Sequence, residues 1–484
     1  MEEMIKRIKD DPKTAVFYIY AFWMLVIVPL TLNNAYFDLV QAKARALHIG
    51  LAVTIVLMSA VYLLSGKKQE RSFGFTDKNL LSLATISLVS SCYSSRFLDS
   101  FFGNNGWGIG SFVISGSIGL VLLFRDAAPS GDLWIPVALV NIGIYVLSFF
   151  HSAEIDLFNL HEGIRSSQYF DYFSLTGNAN WTAGYLSLLL PVFYFRFVEE
   201  TRKPIKYVYG LCLILGTGNI LLCNCDSYYL GLTVSMMFLV PYLLKDIKRY
   251  RSIFLLPAVF GLFGIVIKTI PVFAGKVHSF SGLTGHLCNY GMLGTLTVSG
   301  VALFCLCKKI ELSKPAQKTI SFAVSLICIA GLLWLVFDMM AHLRAYDYSW
   351  GNNRLRIWNE TVFAFRYYLR PLQKLIGIGP ENQAPWYGNL NNELGAVIIA
   401  THSEPLQVLF TMGIVGFLLY VGSIVLLVWS HMKNRKDNTY VSYLIGLLGY
   451  LGQSLVNSMN PLNAGIVFVL VALLVQTTGK GSID

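Results

Sequence analysis

His402 and Glu404 stand two residues apart at the mouth of an apolar run, just before Pro405. Imidazole is the side chain best suited to take a proton from a sugar hydroxyl near neutral pH, and a neighbouring carboxylate can orient it. Such a base should lose activity as pH falls below roughly 6.5, with the midpoint moved upward if Glu404 stabilises the protonated ring. Upstream, Asn353 can cap a helix running from Arg354 to about Leu369 and stopped by Pro371. Trp358, Val362, Phe365 and Leu369 follow at helical spacing as an apolar face, with Asn359, Arg366 and Arg370 opposite. Arg354 extends that apolar face, and a planar guanidinium beside the free N–H groups of a helix start makes a phosphate clamp. Arg356 lies about 200° round the helix and is expected to be solvated. Blander roles remain open: Arg354 snorkelling to headgroups or pairing with Glu360 or Asp347, and His402 as an interfacial amphipathic residue.

These residues belong to one polar island, 341–404, between two runs long enough to cross a bilayer. With 55% hydrophobic and 13% charged residues, the chain reads as an all-α, polytopic integral membrane protein, a single domain over 1–484. Apolar windows predict about 14 transmembrane helices (12–14), at 14–33, 46–65, 78–94, 107–124, 133–150, 181–198, 206–224, 228–244, 252–273, 288–306, 318–340, 405–429, 439–457 and 461–477. The net charge of +10 comes mainly from basic residues in short loops, which excludes a nucleic-acid reading in favour of the positive-inside rule. Lys6, Arg7, Lys9 and Lys13, then Lys67, Lys68, Arg71 and Lys78, and later Lys433, Arg435, Lys436 and Lys480 then face the cytoplasm. The island becomes a large extracytoplasmic helical loop before the twelfth span, and both termini are cytoplasmic. No n-region, short h-region and A-x-A site precede the first span, so no cleaved signal peptide is expected.

No phosphate loop, Gly-rich fingerprint or inward D-x-D pair is present, so a cytoplasmic nucleotide site is unsupported and no cofactor is expected. No metal site is expected either: Cys223 and Cys225 form a C-x-C without partners, and His151, His161, His278, His286 and His342 have no ligand spacing. Tyr346, Tyr348, Trp350, Trp386 and Tyr387 can stack on sugar rings or form an interfacial belt. Gly377 and Gly379 predict a tight turn.

Asn353-Arg-Leu-Arg-Ile-Trp358, Gly377-Ile-Gly-Pro-Glu-Asn382, His402-Ser-Glu-Pro-Leu-Gln407 and Gly413-Ile-Val-Gly416 occur in this order. Upstream lie Thr176-Gly-Asn-Ala-Asn180 and the turn Asp226-Ser-Tyr-Tyr-Leu-Gly-Leu232. Together, over 176–416, they resemble the signature region of the O-antigen ligase and O-antigen polymerase family. The resemblance implies a GT-C-like membrane glycosyltransferase of the bacterial cytoplasmic membrane, moving a glycan from undecaprenyl diphosphate to a glycan or lipid acceptor outside. It implies Arg354, with Arg356, as donor diphosphate ligands, His402 with Glu404 as catalytic pair, and Asn180, Trp358, Gly379 and Asn382 as substrate-binding residues. Membrane lipids and surface-polymer assembly proteins are the implied partners, and nucleic acid is not. The chain departs from the family pattern at Asp226, which replaces a turn arginine, so Arg165, Lys276 or Arg344 would have to compensate; Ser403 also replaces an Asn. The alternatives are a multispan transporter or flippase, which predicts ionisable residues inside spans where only Lys268 and Asp338 lie near span ends, and a non-catalytic scaffold.

Overall fold

A backbone surrounded by apolar side chains must satisfy its own N–H and C=O groups, and this chain does so with helices. The computed structural model describes residues 11–65, 73–395, 397–433 and 438–478. Lys6, Arg7, Lys9, Lys67, Lys68, Arg71, Arg435, Lys436 and Lys480, on which part of the expected orientation rests, lie outside them. In chain order the main helices are α1 (Pro12–Leu30), α2 (Leu39–Ser65), α3 (Phe75–Tyr93), α4 (Phe97–Phe102), α5 (Ser111–Leu123), α6 (Trp134–Ser152), α7 (Ala179–Glu199), α8 (Lys203–Cys223) and α9 (Asp226–Leu243). There follow α10 (Ile247–Thr269), α11 (Tyr290–Leu306), α12 (Lys314–Arg344), α13 (Trp350–Tyr367), α14 (Pro371–Ile376), α15 (Gly388–Leu394), α16 (Glu404–Lys433), α17 (Asn438–Ser454) and α18 (Pro461–Thr478). Among the described residues the strands are the two-residue β1 (Tyr172–Phe173) and β2 (Gly177–Asn178), antiparallel with Tyr172 opposite Asn178. The all-α reading therefore holds.

A helix stands over each of the fourteen apolar windows, but among the described residues eight are long and apolar enough to cross a membrane. These are α1, α2, α6 with the turn before it, α7, α8, α10, α12 and α16. The difference is physical: α5 has 13 residues and would rise only about 20 Å, short of a hydrocarbon core of roughly 30 Å.

Two helices sit at the centre. Leu462, Ala464, Ile466, Val469 and Leu470 of α18 and Ala183, Leu186, Leu188 and Leu189 of α7 are fully buried. Small residues let the backbones close up: a Cβ on Gly231 of α9 would strike the carbonyl of Gly449 on α17, and one on Gly446 of α17 would strike that of Leu188 on α7. The fully buried Lys43 donates to the carbonyls of Val28 (3.2 Å), Pro29 (2.8 Å) and Thr31 (3.1 Å), closing the end of α1. At the other extreme, the most apolar window of α12 is 0% buried; this helix packs chiefly on α9.

Candidate functional site

Just inside the start of α13 the chain kinks through three consecutive left-handed residues, Gly351, Asn352 and Asn353 (φ 64°, 59° and 65°). This corrects the expected cap: Asn353 occupies the boundary in a left-handed conformation, not the extended one in which a side chain bonds the first turn. Beyond it the helix buries Leu355, Ile357, Thr361 and Ala364, while Val362 is 52% exposed. The buried face is thus rotated by one residue from the expected one, because Ile357 and Tyr387 nucleate a small core with α15. The helix ends at Tyr367, and Pro371 begins α14 in place of merely stopping α13.

Arg354, in the first turn after this bend, reaches into the protein. Its Nη2 donates to Oδ1 of Asn180 at the start of α7 (2.9 Å) and to Oδ1 of Asn457 in the α17–α18 turn (3.1 Å). Both partners are neutral, and among the described residues no carboxylate forms an ion pair with it. Burial lowers the guanidinium's proton affinity, opposed by the fields of Cys225 and Asp226. The expected pairings with Glu360 and Asp347 are not made; Asp347 binds His342 (2.8 Å) and Ser349 (2.6 Å). Arg356 turns away and pairs with Glu393, so it does not join Arg354.

His402 lies beside Arg354, at a left-handed position (φ 53°) between the buried Thr401 and Ser403. Burial, reinforced by Arg354, pushes its imidazole down to about 4, opposite to the expected upward shift. Glu404 does not orient it. That carboxylate points into the membrane helices, accepting from Tyr420 (3.0 Å) and Tyr450 (2.8 Å), while the Glu404 amide binds the Asn457 carbonyl (2.9 Å). The neighbour of the His402 ring is the Trp107 indole, 5.9 Å away edge to face, and Trp107 also packs on Trp181 at 5.7 Å. Trp358 supports the same turn from behind, donating Nε1 to the Thr401 carbonyl (3.0 Å).

Gly379 and Asn382, expected to bind substrate, are joints of the scaffold. At Gly413 (φ 70°) α16 breaks, and the freed Thr411 carbonyl accepts from the Gly379 amide (2.9 Å) and the Ser90 hydroxyl (2.8 Å). Asn382 donates to Ser94 (2.6 Å) and accepts from Asn105 (3.0 Å). The predicted glycine turn is present, with φ of 85° and 96° at Gly377 and Gly379. Among the expected compensating cations, Arg165 and Arg344 are exposed and Lys276 is buried against the Phe170 carbonyl (3.0 Å). Asp226 caps the 282 loop by accepting from the Leu283 amide (3.0 Å). Of the proposed sugar platforms, Tyr387 is fully buried and Trp350 bonds Asp338 (2.7 Å).

Asn457, Trp107, Trp181 and Glu381 escaped sequence reasoning. They lie on four segments; Trp181, next to Asn180, and Glu381, inside the Gly377–Asn382 run, stood at or within the quoted motifs, whereas Asn457 and Trp107 carried no signal. A second cluster also escaped: His151, Asp156 and His161 bring ligand atoms within 4.8 Å of one another. The Ser174 amide donates to Nδ1 of His151 (2.9 Å), which assigns the ring proton to Nε2, the atom facing Asp156. That nitrogen therefore has no lone pair for a metal, and the cluster works as a clasp: His161 Nε2 meets the Tyr172 carbonyl (2.8 Å), and Tyr36 meets that of Ser174 (2.7 Å). Cys225 bonds Asn180 (3.2 Å) and Cys223 bonds Ile220 (3.2 Å), so the C-x-C thiols diverge. Compared with family models and with curated proteins, the chain matches none.

Proposed function

We propose that the chain is a membrane glycosyltransferase that moves a glycan from undecaprenyl diphosphate to an acceptor hydroxyl on the outer face of the bacterial cytoplasmic membrane, of O-antigen ligase or polymerase type. The observation that carries this reading is Arg354: a largely sequestered guanidinium held by two neutral amides, without a carboxylate partner among the described residues, next to a histidine. A desolvated cation in that state favours an anion, and a diphosphate suits its fork. The ordered motifs and the apolar helices agree with a lipid-borne donor.

In this reading the acceptor oxygen attacks the anomeric carbon, its proton passes to His402, and the bond between that carbon and the diphosphate oxygen breaks. The electron pair leaves on the diphosphate, where Arg354 stabilises the growing charge. The low basicity of His402 without donor has a logic. One of its two causes is the Arg354 charge, which a bound diphosphate neutralises, so the donor itself raises the base. The test is release of undecaprenyl diphosphate coupled to glycan transfer, using purified protein in nanodiscs, lipid-linked donor and candidate acceptors, without nucleotide sugar. Transfer by the wild type and its loss in Arg354→Lys are expected; donor left intact with every acceptor would overturn the reading.

A further inference from the structure

The ring of His402 receives no hydrogen bond from a described residue, and Glu404 is committed to two tyrosines. What packs against the imidazole is the Trp107 indole, set at a steep angle to it. Trp107 comes from the loop between α4 and α5, and that loop is held by one buried side chain from the other side of the site.

Glu381 is 2% exposed and sits at a left-handed backbone position (φ 60°) directly after Pro380. Its Oε2 accepts from the Trp107 amide (2.5 Å) and its Oε1 from Nε2 of Gln407 (2.9 Å). Gln407 in turn lies 3.4 Å from the hydroxyl of Thr401, the residue before His402. Gly106 has no room for a Cβ, because the carboxylate fills that space. Asn105 bonds Asn382 (3.0 Å), so the residues on either side of Gly106 grip the adjacent pair Glu381 and Asn382. An unusual backbone conformation and a glycine kept empty for a carboxylate are costs that a contact of no consequence would not retain.

We infer that Glu381 is a positioning residue: its carboxylate clamps the Trp107 loop and the His402 turn together, so that the indole sets the orientation of the imidazole. The role of that orientation in transfer rests on the reading of His402 as the base; the clamp itself does not. A charged carboxylate makes both bonds strong. Burial raises the Glu381 carboxyl to about 7 against those two bonds, so the clamp is fully charged above that pH and weakens as pH falls through it. The other titratable groups around it are Glu404, Tyr420 and Tyr450, which line the same cavity, His402 against Trp107, Asp99, which reaches the loop through Asn105 (3.3 Å), and His48 on the Gly108 carbonyl (2.8 Å).

The test is hydrogen–deuterium exchange of the segment 103–110 in the full-length protein in nanodiscs, corrected for intrinsic rates, at about pH 8 and about pH 6. Wild-type protein should exchange several-fold faster at the lower pH. Glu381→Gln should exchange fast at both, and Gly106→Ala, which crowds the carboxylate from the opposite side, should do the same. Equal, pH-independent exchange in wild type and Glu381→Gln would overturn the clamp. In the transfer assay Glu381→Gln should lower kcat roughly tenfold to a hundredfold with donor affinity unchanged. Altered exchange with an undiminished kcat would overturn the positioning role, whereas altered exchange in a protein that transfers nothing even as wild type would leave the clamp standing and remove the transferase reading.

Discussion

At the scale of residues, the proposed function divides donor binding, given to Arg354, from proton transfer, given to His402, and each role predicts a different loss. His402→Ala should reduce transfer by about 10²- to 10⁴-fold while lipid diphosphate binding persists, since Arg354 holds the donor. Loss of both in one preparation would make His402 a binding residue. Arg354→Lys should fold and yet lose roughly ten- to a hundredfold in transfer, because an ammonium cannot reproduce two directed bonds to a diphosphate. Folded Arg354→Lys with wild-type turnover would remove the donor assignment. With its imidazole pushed down to about 4, His402 in the empty site is neutral above that pH. Titration of the ring by NMR in the absence of donor should therefore show no protonation between about pH 5 and pH 8, and adding donor should move the midpoint upward.

At the scale of elements, the break in α16 and the turn after α14 are one joint. A Cβ on Gly377 would meet the Thr411 carbonyl, and one on Gly413 would meet that of Leu375. Gly413→Ala should lower stability by about 1–3 kcal/mol, seen as a lower melting temperature in detergent. An unchanged melting temperature would mean the joint bears no strain. The sequence announced half of this joint, the tight turn at Gly377 and Gly379; the break at Gly413 fell inside a span read as continuous, 405–429. It also placed helices over the apolar windows and singled out Arg354 and His402. What stayed hidden was pairing across the chain. Nothing near Glu404 says that Tyr420 and Tyr450 claim its carboxylate, or near Arg356 that Glu393 claims its guanidinium. Likewise, Trp107 is separated from His402 by most of the chain, and its loop arrives there through packing of α5 against α3, α18 and α2 and through the bonds to Glu381 and Asn382. Periodicity located the face of α13 but missed its phase by one residue, because a three-residue left-handed bend fixes where that helix starts.

At the scale of the molecule, orientation in the membrane decides which solvent the site meets. Residues 341–404 are expected to be extracytoplasmic, so a cysteine at the exposed Ser349 should react with an impermeant maleimide in intact spheroplasts. Labelling only after permeabilisation would invert the topology and with it the substrate class.

The bare helix α12 leads from its apolar stretch to the turn that carries His402. Its apolar stretch, 318–340, rises roughly 35 Å, close to a hydrocarbon core of roughly 30 Å. A stretch of that length crosses with modest tilt, and packing on α9 sets its inclination. Near its upper end Asp338 holds Trp350, Trp350 touches Trp358 at 5.8 Å, and Trp358 holds the carbonyl beside His402. The helix thus ends like a mast in a rigging of two indoles tied to the turn of His402.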